Sequence, residues 1–167
     1  MDSSINQANY IEWLKLVQKS YLVAYVCSFI ILSHILTIDA ATVDDLRSLP
    51  LFGVSLPRLP AVLFTLLIFW GSGALVLVSY AQLNKISKHL SPEVLSALRF
   101  HPSIGNSSWK LEAVWVLGLF VIFWVVFASG IKPKPIYESA WLALVVLAPY
   151  LTALLQKAFN KQLHRTP

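Results

Sequence analysis

Residues 113–131 read AVWVLGLFVIFWVVFASGI, 19 consecutive residues without a charge, bracketed by Glu112 and Lys132. At about 1.5 Å of rise per residue, roughly 20 helical residues cross a hydrocarbon core of about 30 Å. The stretch carries no polar stripe of the kind a helix in a water-soluble domain shows, so its whole circumference suits lipid.

Three further runs resemble it. Lys19 and Asp39 bracket Ser20–Ile38, Arg58 and Lys85 bracket Leu59–Asn84, and Glu138 and Lys157 bracket Ser139–Gln156. All are near the spanning length. Membrane-spanning β-strands would alternate in polarity over about ten residues, and Leu142–Leu147 (LALVVL) does not alternate. The expected fold is therefore an all-α integral membrane protein, one domain of four transmembrane helices at about 20–38, 59–82, 112–131 and 139–157.

Composition agrees. Of 167 residues, 57% are hydrophobic and 13% charged; soluble domains average about 25% charged. The net charge of +5 is better explained by topology than by nucleic acid. Lys15 and Lys19, the loop lysines and arginine Lys85, Lys88, Arg99 and Lys110, and the tail residues Lys157, Lys161 and Arg165 fall on one side. Only Arg47, Arg58, Lys132 and Lys134 fall on the other. The positive-inside rule then puts both termini and the 85–110 loop in the cytoplasm. A cleaved signal peptide fits poorly, because Asp2 and Glu12 dilute the positive charge and the first apolar run is long. Cys27 is the single cysteine, so no internal disulfide forms and membrane thiol oxidases with paired cysteines are excluded.

Between the spans, residues 10–19 read as an amphipathic, partly interfacial helix, with Glu12, Lys15 and Lys19 opposite Ile11, Leu14 and Val17. In the first outer loop, Asp39, Asp44 and Asp45 are read as solvated acids, and Leu49–Pro60 (LPLFGVSLPRLP) predicts an extended or interfacial hairpin. In the cytoplasmic loop, Ser91-Pro92-Glu93 starts a short helix over about 92–100. There Val94, Leu95, Leu98 and Arg99 form a candidate docking face for a partner. Lys132-Pro133-Lys134-Pro135 is a stiff connector that makes the last two spans antiparallel neighbours. The Asn106-Ser107-Ser108 sequon falls on the cytoplasmic side, where it is inert.

Chemistry is sought first among polar residues within the spans, where they are costly. None of the four runs holds Asp, Glu, Lys or Arg, which counts against proton-coupled pumps that use a mid-depth carboxylate. Glu112 is expected at the cytoplasmic end of the third span, as a helix-start or interfacial acid. His34 is the one histidine inside a run. A haem held between helices generally wants two axial ligands, and His89, His101 and His164 map to the opposite side, so His34 is a candidate polar contact only. Gly71-Ser72-Gly73 lacks the glycine and the histidine base of an intramembrane serine protease. Gly71 and Gly73 read as close-packing positions, and Pro149 should kink the last span. Thr65, Ser72 and Thr152 could line a polar seam with them. Trp70, Trp115 and Trp124 read as bundle packing. Neither a metal nor a cofactor is expected, and no nucleotide-binding fingerprint occurs.

Residues 49–80, the LPLFGVSLPRLP stretch followed by an apolar helix, resemble the loop-and-helix segment of bacterial multi-pass membrane proteins that carry pentapeptide repeats. The chain has no such repeats. The resemblance implies a bacterial inner-membrane setting and no activity.

The expected function is non-enzymatic: an accessory, anchor or scaffold subunit that packs against itself or another membrane protein, with the lipid bilayer as its solvent. The alternative is an oligomeric pore or small-solute transporter. A third reading, chemistry on lipid-linked substrates, would have to use His89, His101 and Glu93.

Overall fold

The computed structural model describes residues 3–36, 46–49, 54–98, 103–129 and 135–163. A long helix α1 (Ser3–Leu36) is followed by a two-stranded ribbon, β1 (Leu46–Leu49) and β2 (Val54–Pro57), and by α2 (Arg58–Ser87). A short α3 (Pro92–Leu98) and a 3-10 turn (Ile104–Asn106) lead to α4 (Trp109–Ala128). The chain then returns through α5 (Ile136–Val146) and α6 (Ala148–Leu163). Helices α1, α2 and α4 are each long and apolar enough to cross a membrane, and α5 with α6 would make a fourth crossing if the bent pair counts as one span.

Lipid tails are as apolar as leucine, so helices in a bilayer associate through close packing and hydrogen bonds. The buried positions show how. On α1 they include Leu14, Val17, Tyr21, Ala24, Ser28 and Ile31, alternately three and four residues apart. On α2 the series Thr65, Phe69, Ser72, Val76, Ser79 and Leu83 repeats the spacing, and on α4 so does Glu112, Val116, Leu119, Phe123 and Val126. This is the heptad seam of left-handed helix packing. Its small members, Ala24, Ser28, Ser72 and Ser79, let backbones approach. Outside the seam stand lipid-compatible side chains such as Leu22, Phe29, Leu67, Leu117 and Trp141, all exposed.

Contacts set the helix directions. Tyr21 and Tyr25 of α1 meet Glu112 and Trp115 of α4 in that order, so these helices run the same way. On α2, Tyr80 meets Glu112 and Phe69 packs on Phe123, ring centroids 4.9 Å apart, so α2 runs opposite. Helix α6 runs with α2: Lys157 reaches Glu112, and Tyr150 packs on Phe69 at 5.1 Å.

Several expectations change. The 10–19 segment is continuous with the first apolar helix, which starts early, rather than a short helix of its own. It forms early turns of α1, with Leu14 and Val17 in the core. A hairpin is present in the first loop but is shifted from the expected Leu49–Pro60, with Leu46 opposite Pro57 and Leu49 opposite Val54 and residues 58–60 already in α2; among the described residues it is the one β element. Pro60 falls in the first turn of α2, where a missing N–H is harmless. The fourth span is not one rod, because α5 and α6 meet at 66°. Pro149 has no N–H for the Val145 carbonyl and its ring crowds that oxygen. Helix α5 therefore closes with the Leu147 N–H on Ala143 O, and α6 begins with the Leu151 N–H on Leu147 O. The short helix expected over 92–100 is α3, started by Ser91, whose hydroxyl accepts from the Val94 N–H at 3.4 Å.

Candidate functional site

All four apolar segments contribute one polar side chain to a single point near one end of the bundle. Glu112 lies in the first turn of α4 with no exposed surface. Its Oε1 accepts from the hydroxyls of Tyr21 (2.6 Å) and Tyr80 (2.7 Å). Its Oε2 accepts from the Lys157 ammonium at 2.6 Å. Lys157 also donates to Ile104 O at 3.3 Å and to the Tyr80 hydroxyl at 3.4 Å, and lies 5.2 Å from the Tyr80 ring centre. A buried charge is tolerated only when paired and hydrogen-bonded. Here the anion has three donors and the cation three oxygen acceptors.

Local sequence explains the placement. Ser108 caps α4 with its side chain, accepting from the Leu111 N–H, so Glu112 is not needed as a cap. Glu112 belongs to the heptad seam of α4, which turns it inward. Tyr21 holds the matching position on α1, while Tyr80 is buried beside seam residues Ser79 and Leu83 on α2. Lys157 lies seven residues after Tyr150, on the same face of α6. The expectation of Glu112 as an edge or capping acid is thus corrected.

A second polar contact lies deeper. The hydroxyls of Ser72 and Tyr150 are 2.5 Å apart, and both reach the Phe69 carbonyl, at 2.7 and 3.1 Å. The wider seam expected from Thr65, Ser72 and Thr152 does not form. Thr65 bonds back to Ala61 O, and Thr152, exposed, bonds back to Ala148 O; both hydroxyls serve their own helix, as is common in membrane spans. The two glycines also differ. A Cβ on Gly73 would stand 2.8 Å from the Pro149 Cβ and 2.9 Å from the Tyr150 ring, whereas a Cβ on Gly71 would meet nothing within 4 Å. Of these two glycines, Gly73 is the close-packing one, against Pro149 and Tyr150.

On α3, Leu98 turns inward and is buried, and its carbonyl accepts from the Asn106 side chain. Leu98 is not free for a partner; Val94 and Leu95 are half-buried, and Arg99 lies outside the described residues. His34 falls in the last turn of α1, its side chain outside the described ones. Asp39, Asp44, Asp45, His101 and residues 132–134 also lie outside them. His89 and Glu93 are exposed. Trp70 is exposed, Trp115 is exposed on one side but packs edge-on against Tyr25 of α1, and Trp124 stacks on Phe120. Among the described residues, no three of His, Cys, Asp or Glu converge as a metal site would require.

Sequence reasoning missed Tyr21, Tyr80, Tyr150 and Lys157. Their signal was available as polar side chains recurring at seam positions of otherwise apolar helices. Compared with known protein families, curated proteins and solved structures, the chain matches none.

Proposed function

We propose that this is a four-span membrane protein with both termini in the cytoplasm, acting as a non-enzymatic accessory, anchor or scaffold subunit through helix packing with itself or another membrane protein. One observation carries the reading: among the described residues, the charged groups inside the bundle are engaged by one another and by two tyrosine hydroxyls. Glu112, Lys157, Tyr21 and Tyr80 form a lock between α1, α2, α4 and α6, and Ser72 with Tyr150 forms a smaller one. Such groups hold a bundle's register. The like direction of α1 and α4, opposed by α2 and α6, supports four alternating crossings, and the excess of lysine and arginine on one side supports the orientation. The resemblance of residues 49–80 supports a bacterial inner membrane.

The test is purification in mild detergent, with the mass of the complex and any co-purifying chain measured together. A defined oligomer or a stoichiometric membrane partner is expected; a lone monomer at every detergent concentration contradicts the reading.

The break between α5 and α6 favours a second reading, a small-solute transporter or oligomeric pore. Transporters place discontinuous helices at their substrate sites, and the Ser72–Tyr150 contact lies beside this break. Flux of ions or small dyes into liposomes separates the two, since a scaffold gives none.

A further inference from the structure

Helices α1 and α4 leave a lateral groove of about 460 Å³ between them, within the roughly 300–1,000 Å³ of ordinary ligand pockets. Its two ends differ. Lys15 and Lys19 stand at one end, with Ile104 beside them, and Tyr25 and Trp115 lie further along. Leu22, exposed between the ends, belongs to the apolar wall. Tyr25 is fixed there by its hydroxyl bond to Trp115 O at 2.5 Å and by an edge-on contact with the Trp115 ring, centroids 5.5 Å apart. The groove is therefore preformed, apolar along its length and cationic at one end.

We propose that this groove holds one anionic phospholipid, with an acyl chain along Leu22, Tyr25 and Trp115 and the phosphate on Lys19, assisted by Lys15. Charge complementarity selects the occupant. Glu12 pairs with Lys15 at 2.7 Å and interacts more weakly with Lys19, so the two lysines carry one more positive charge than this single acid offsets, and Lys19 makes no hydrogen bond to a described residue. A lysine at the headgroup level with its stem on apolar surface is the usual arrangement at a bilayer edge. The site rests on the reading of α1 and α4 as spans, and the orientation proposed above puts it in the cytoplasmic leaflet, where anionic lipids concentrate.

The test is native mass spectrometry of the delipidated protein titrated with phosphatidylglycerol or phosphatidylcholine. The wild type should take up one phosphatidylglycerol in preference. Lys19→Ala should reduce that preference about fivefold, and the Lys15→Ala/Lys19→Ala pair should remove most of it. Leu22→Trp, at a surface position, should reduce uptake of both lipids. Inorganic phosphate should not displace the bound lipid. Equal uptake of both lipids by the wild type, an unchanged preference in the double variant, or displacement by phosphate alone would overturn the proposal. Resistance of the wild type to alkaline extraction from membranes checks the spanning reading separately: an extractable protein refutes the spans, whereas an embedded one without lipid preference refutes the groove.

Discussion

The Glu112 carboxylate and the Lys157 ammonium lie 2.6 Å apart, with side chains 0% and 12% exposed. They are 45 residues apart in sequence, and together with Tyr21 and Tyr80 they tie the last helix to the other three long helices.

Removing either charge strands the other. Glu112→Ala or Lys157→Ala should each cost about 3–5 kcal/mol of stability, measured by unfolding in mixed micelles. The double variant Glu112→Leu/Lys157→Met should cost less than the sum of its single changes, because the two positions share one interaction. Additive losses would mean that the pair is not coupled.

The two phenols can be probed without changing bulk. Tyr21→Phe and Tyr80→Phe each delete one hydrogen bond to a charged acceptor, and each should cost about 1.5–3 kcal/mol. In the Glu112→Ala background the same changes should cost little, since the acceptor is already gone.

The glycines give a paired prediction. Gly73→Ala places a methyl against Pro149 and Tyr150 and should destabilise by about 1–3 kcal/mol. Gly71→Ala enters open space and should be neutral, or stabilising by up to about 1 kcal/mol through helix propensity. Thermal melts of the two proteins in one detergent decide it; equal effects would refute the close approach of α2 and α6.

The presence of the long apolar helices was legible in the sequence, because uncharged runs of near-spanning length suit a lipid solvent, but their bounds were not: α1 begins well before its run, and the fourth run is broken in two. Which face of each run turns inward was not, because hydropathy alone cannot separate a leucine facing lipid from one facing a neighbouring helix. The stripes of small and hydroxyl-bearing residues at Ala24, Ser28, Ser72 and Ser79 carry that information. The buried pair was hidden by the way a run is delimited. Counting uncharged residues makes Glu112 the boundary of one span and Lys157 the boundary of the next. Each then reads as an interfacial charge, although the two neutralise one another inside the bundle. The Pro149 kink was legible, but its 66° size and the packing of Gly73 against the proline, a contact between distant segments, were not.

The most direct measurement is the sidedness of single cysteines. With Cys27→Ser as background, cysteines at Ser4, Asp45, Lys88, Lys134 and Thr166 can be labelled in intact cells by an impermeant thiol reagent. The expected result is labelling at Asp45 and Lys134 only, with Ser4, Lys88 and Thr166 reacting after the membrane is opened. Labelling of Ser4 and Thr166 on opposite faces, or of all five in intact cells, would contradict the four-span arrangement.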